Sequence, residues 1–177
     1  DKITIAHLED KGANISYRNN RLFVLITSHG ESGVAKWRGS KDDFKQLTKL
    51  KADFGLQLEV DMEQYNHLSM LPVIPNLVSL DIGVISCANH ALFKSISGCA
   101  SLEELRISTL RFDKASIKTL CPLKKLQTLE LRGTGLSKSE LGFVSHFPEL
   151  KIVDLHAMGD VDNSHLRLVS KKTNTIH

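Results

Sequence analysis

The sequence predicts an α/β fold built as a solenoid in which short parallel strands alternate with short helices. A hexad of the form apolar-x-x-apolar-x-apolar recurs at a nearly constant interval, beginning at Leu77, Leu102, Leu126 and Leu150. The last apolar pair of each hexad alternates, at Leu80/Ile82, Leu105/Ile107, Leu129/Leu131 and Val153/Leu155, which is the period of a strand that buries one face. Beyond each strand the spacing turns helical, at Leu92/Ile96/Cys99, Ile117/Leu120/Leu123, Leu141/Val144/Phe147 and Leu166/Val169. A strand and helix of this length cannot bury its own apolar face, so units at this period must stack on one another.

In chain order, Ile5 and Leu8 mark a short helix, and Ile15 and Tyr17 face Leu22, Val24 and Ile26 across Asn19-Asn20, a pair that tolerates the positive φ of a hairpin turn. Residues 28–33 read as a loop, Val34 to Gly39 has no clear period, and Phe44, Leu47 and Leu50 mark a second helix. Residues 1–52 are therefore expected to cap the open apolar end of the first unit. Residues 53–177 hold about five units, the first of them degenerate: Leu56, Leu58 and Val60 form its strand, and Tyr65, Leu68, Leu71 and Ile74 follow at three-residue spacing. Cap and repeats together make one domain of ordinary size. Each hexad is followed by an apolar anchor, in turn Cys87, Phe112, Leu136 and Val161. Asp113, Ser137 and Asp162 stand where helices begin, with Glu140 placed to complete a capping box with Ser137, and Pro122 and Pro148 fall where helices must stop.

The 177 residues are 41% hydrophobic and 24% charged, as in soluble globular domains, and no apolar run is long enough to span a membrane. A formal net charge of +3, evenly mixed, is too small for a nucleic-acid footprint. Cys87, Cys99 and Cys121 cannot all pair within the chain and read as buried free thiols. That favours a reducing compartment such as the cytoplasm, while a mature exported protein also fits a chain that begins at Asp1.

Residues 126–137 and 102–113, with the other two copies in register, resemble the leucine-rich-repeat family over about residues 55 to 170. The turn from Thr134 to Ser137 is similar to a bacterial variety in which Thr replaces the usual asparagine, and the opening stretch from Leu8 to Ile15 is similar to the lead-in of some such proteins. The matching turn positions hold Ile85, Leu110 and Met158, so no strict subclass follows. The resemblance implies a right-handed solenoid with concave strands and convex helices, acting as a repeat scaffold that binds protein.

On the concave side the outward hexad positions bring together Ser79, Asp81 and Gly83; Glu104, Arg106 and Ser108; Thr128, Glu130 and Arg132; and Ile152, Asp154 and His156. With Glu59 from the degenerate unit, the central row reads Glu59, Asp81, Arg106, Glu130, Asp154 and is mostly acidic, whereas Lys114, Lys118, Lys138, Lys171 and Lys172 collect on the outer side. Such a strip is expected to hold a basic segment of a protein or peptide partner. On the competing view Arg106 and Arg132 neutralise the neighbouring carboxylates and the strip is only solvated. A purely structural role, docking on another domain or on a second copy through the cap or the C-terminal end, is the alternative function.

No enzyme, metal or cofactor is expected. His7, His29, His67, His90, His146, His156, His165 and His177 show no metal-ligand spacing, and Asp154 with His156 has no nucleophile placed beside it. The run from Gly30 to Lys36 fails as a phosphate loop because Trp37, not Ser or Thr, follows the lysine. Trp37 and Arg38 are candidates either for a contact patch or for packing of the cap.

Overall fold

The structure, a computed structural model, describes residues 1–30, 33–59, 62–85, 90–109, 114–132, 138–154 and 175–176. Eight strands form one open sheet, and their order in space is their order in the sequence. β1 (Asn14–Arg18) pairs antiparallel with β2 (Arg21–Thr27). β3 (Phe54–Glu59), β4 (Leu77–Ile85), β5 (Glu104–Thr109), β6 (Thr128–Arg132), β7 (Ile152–Asp154) and β8 (Thr175–Ile176) then add in parallel. This is the expected α/β class with a mostly parallel sheet.

The N-terminal elements also fall where the sequence put them. α1 (Lys2–Asp10) carries Leu8 into the core, and the β1–β2 turn places Asn19 and Asn20 at φ 51° and 63°, the left-handed geometry that a tight hairpin demands. Their side chains make this tolerable without glycine. α2 (Lys41–Phe44) starts in a full capping box: Ser40 Oγ accepts the Asp43 amide at 3.2 Å, and the Asp43 carboxylate accepts the Ser40 amide at 2.8 Å. Those bonds from Ser40, helped by His7 Nε2 at 2.8 Å from α1, hold the Asp43 carboxyl down to about 2. Trp37 is 2% exposed, so it packs the cap and is not a contact patch.

Parallel neighbours need a crossover, and the crossovers refine the helical expectation. Where apolar residues are spaced four then three, at Leu92, Ile96 and Cys99, the chain forms α3 (His90–Ser97). Where they are spaced three and three, it tightens. α4 (Lys114–Ile117) lasts one turn before the 3₁₀ segment Lys118–Leu120, and Lys138–His146 and Met62–Val73 are 3₁₀ throughout. After α2, Lys45–Lys49 does the same. A 3₁₀ helix has three residues per turn, so residues three apart stay on one face. Ile117/Leu120/Leu123 and Phe44/Leu47/Leu50 are all buried on that basis.

The helical segments cover one face of the sheet. Leu80, Ile82, Leu105, Ile107, Leu129, Leu131 and Val153 pack with Leu92, Phe93, Ile96, Leu120, Leu123, Val144 and Phe147 in a single core cluster. Each such side chain contributes about 1.5–3 kcal/mol by leaving water. A backbone ladder keeps the sequence period: Glu103 N–H donates to Val78 O at 2.8 Å, Gln127 N–H to Glu103 O at 2.7 Å, and Lys151 N–H to Gln127 O at 2.8 Å. Of the cysteines, Cys99 is buried, and loss of solvent pushes its thiol up to about 12, whereas Cys121 is half-exposed, which corrects the expectation of burial for it. The anchors Cys87, Phe112, Leu136 and Val161, the caps Asp113, Ser137 and Asp162, the helix at Leu166/Val169, and Val60 and Leu155 lie outside the described residues.

Candidate binding face on the open side of the sheet

Strand alternation that sends leucines inward sends the intervening residues to the uncovered face. Pairing then aligns them in rows. The first row runs Phe23, Gly55, Ser79, Glu104, Thr128, Ile152 and Thr175. The second runs Leu25, Gln57, Asp81, Arg106, Glu130 and Asp154. A third has Thr27 opposite Glu59, and Ser108 opposite Arg132. Ser79, Asp81, Glu104, Arg106, Ser108, Thr128, Glu130, Arg132 and Asp154 thus share one surface, as the repeat predicted. His156 lies outside the described residues.

Glu59 requires a correction. It belongs to the uncovered face but not to the central row, where Gln57 stands opposite Asp81. An irregularity between Phe54 and Gly55 sets the phase of β3 against β4, so Leu56 and Leu58 match Leu80 and Ile82. A residue that sequence reasoning missed altogether is Arg21. Its guanidinium extends from the start of β2 to Glu104 Oε1 at 3.3 Å and Glu103 Oε2 at 3.7 Å. Arg21 lies in no hexad, so the repeat pattern carried no signal for it.

The charges on this face are largely paired. Arg106 Nε donates to Glu130 Oε1 at 2.7 Å, and Arg132 Nη2 donates to Glu130 Oε2 at 3.4 Å and lies 3.8 Å from Asp154 Oδ2. Burial works against the charge of Arg106, but the bonded Glu130 carboxylate together with Glu104 and Asp81 outweighs it and holds the guanidinium above its ordinary value. Glu104 accepts Ser79 Oγ at 3.0 Å besides Arg21, and Glu59 accepts Gln57 Nε2 at 2.9 Å.

Asp81 differs from these carboxylates. No hydrogen bond or ion pair reaches its side chain from the described residues, although Arg106 is its register neighbour. Burial raises its pKa, Arg106 opposes that rise, and Glu130 and Glu59 add to it. It opens on a cavity of about 380 Å³ that Arg106, Ile107, Ser108, Glu130 and Arg132 also line. The N-terminal end of the face is built otherwise. The Phe23 ring lies over Gly55, in space that a Cβ there would occupy, and Arg18 sits 4.9 Å above the ring centroid.

Chemically, a half-buried carboxylate at the mouth of a polar cavity can accept a cationic group, while the Arg106–Glu130–Arg132 cluster supplies fixed donors and acceptors around it. Among the described residues no cluster of His, Cys, Asp and Glu is arranged to hold a metal ion, and no helix is long and apolar enough to cross a membrane. No protein-family model matches the chain, and no curated protein does either.

Proposed function

We propose that the chain is a leucine-rich-repeat solenoid serving as a protein-interaction module rather than an enzyme, and that its strand face binds a basic segment of a protein or peptide. The observation that carries this reading is the cavity at Asp81, where a half-buried carboxylate without an ion pair among the described residues faces polar walls. The 24- to 25-residue spacing of the backbone ladder residues Val78, Glu103, Gln127 and Lys151 supports the repeat assignment. A buried carboxylate gains most from a cation that replaces the water it has lost, and its neighbours fix where that cation must sit.

Fluorescence anisotropy with a panel of lysine- and arginine-containing peptides tests it. Basic peptides should bind the wild type, and Asp81→Lys should weaken them about ten-fold, the scale of losing one well-placed charge contact and gaining a repulsion. Equal binding by the wild type and Asp81→Lys, with both folded by circular dichroism, overturns the proposal.

A second reading, self-association, is favoured by β1. It forms the outer edge of the sheet and carries Tyr17 at 66% exposure. An unpaired edge strand can pair with a second copy. Sedimentation at rising concentration, repeated with Tyr17→Pro, which removes an amide on the open edge rather than one bonded to β2, separates this reading from the first.

A further inference from the structure

The covered side of the molecule carries a groove of opposite character. It holds about 670 Å³ between α3 and the segment that follows α4, and its walls include His90, Lys94, Lys118, Cys121, Pro122 and Lys124. Lys94, Lys118 and Lys124 are all exposed, and no carboxylate lines the groove among the described residues. Between residues 90 and 124 the acidic residues are Glu103, Glu104 and Asp113. The first two turn to Arg21 at the sheet, and Asp113 lies outside the described residues. Lys124 Nζ donates to the His146 carbonyl at 3.2 Å, which ties one ammonium to the next crossover, whereas no ion pair engages Lys94 or Lys118 among the described residues.

The geometry points to a second docking site here, on the side opposite the strand face, for an acidic segment of a partner protein. Three ammonium groups without a carboxylate partner among the described residues attract carboxylates and penalise a basic competitor. Pro122, Cys121 and the lysine stems give such a segment an apolar floor between the charges. Nucleic acid fits less well: among the described residues the groove walls hold no Phe, Tyr or Trp ring on which a base would stack, His90 being the one aromatic group there, and no arginine fork to grip phosphate. The two faces then select partners of opposite charge, so one chain can bridge a basic and an acidic protein.

The test uses a fluorescein-labelled peptide of eight glutamates interrupted by two leucines, with the glutamine analogue as control, and reads anisotropy at 50 and 200 mM salt. The glutamate peptide should bind and the glutamine analogue should not. Lys94→Glu with Lys118→Glu should weaken binding at least about ten-fold at low salt, since each attraction becomes a repulsion. Asp81→Lys should leave it unreduced, which separates this site from the strand face. Bound peptide should also slow alkylation of Cys121, read by mass spectrometry. Binding that survives the double lysine reversal in folded protein overturns the inference, as does unchanged Cys121 alkylation at saturation. A single-stranded oligonucleotide that binds more tightly than the peptide and is lost on the same reversal also overturns it, in favour of nucleic acid. Self-association of the chain alone, abolished by the reversal, overturns it in favour of a second copy.

Discussion

The two faces of one sheet contrast sharply, although their residues alternate along the same strands. On β5, Leu105 and Ile107 are at most 1% exposed within an aliphatic core, while Arg106 between them lies in a network of charges. The covered face does its work by excluding water, an effect that scales with area and tolerates no gap. The uncovered face works by placing charges, and solvent blunts each pair there. Stability and binding are therefore expected to separate by parity: odd positions of β5 hold the fold, and even positions hold the partner.

The largest expected effect tests the covered face. Leu105 is fully buried, with Leu80 and Leu129 as its register neighbours on either side. Leu105→Ala should cost about 2–5 kcal/mol, from lost transfer energy and the cavity left behind. A urea titration measures it. A loss below about 1 kcal/mol would mean that the repeat core is loosely packed, and the contrast between faces would fail.

Gly55→Val probes the part of the uncovered face that is packed. The new side chain would displace the Phe23 ring and with it the Arg18 contact. Because that ring is only half-buried and can swing aside, the expected loss is about 1–2 kcal/mol, in the range of overpacking. An unchanged urea midpoint would show that the ring moves freely and that this end of the face is as open as the rest.

Glu130→Gln should cost less, about 1 kcal/mol. It leaves Arg106 and Arg132 facing each other without the carboxylate that both engage, in a setting where solvent screens part of the repulsion. Thermal melts at 20 and 500 mM salt read the effect. The gap between variant and wild type should narrow as salt rises. A gap that is independent of salt would assign the loss to packing rather than charge.

The same contrast explains what could be read before the fold was seen. Periodicity of two names a face but says nothing about register, which depends on pairing with the neighbouring strand. The four hexads fixed their own mutual register by repetition, so the rows through Asp81, Arg106, Glu130 and Asp154 were legible. β3 lies before the first full hexad, and nothing in its sequence announced the irregularity beside Gly55, hence the misplacement of Glu59. The helical side held a signal that was only half used: the spacing of Ile117, Leu120 and Leu123 against that of Leu92, Ile96 and Cys99 already distinguishes 3₁₀ from α. Arg21 was illegible because its partners lie 82 and 83 residues further on, just before β5 and on it. The groove between crossovers was legible only as an excess of lysines, since its walls come from separate segments.

The smallest expected effect is the most telling for the strand face. Asp81 has its pKa raised by burial above the ordinary 3.8. The native state therefore holds that proton more tightly than the unfolded chain, and the ionised side chain costs stability once pH exceeds the raised value. Below 3.8 the group is protonated in both states and the cost disappears. Asp81→Asn should accordingly be neutral or stabilising by a few tenths of a kcal/mol at pH 7, an estimate that allows for partial solvent exposure. Near pH 3 it should match the wild type. Urea midpoints at the two pH values measure the difference. A loss above about 1 kcal/mol at pH 7 would mean that the Asp81 carboxylate supports the fold and is not free to meet a ligand. A gain at pH 7 that vanishes in acid would identify a charge kept at a cost to stability, as expected of a group whose compensation arrives with a cationic partner.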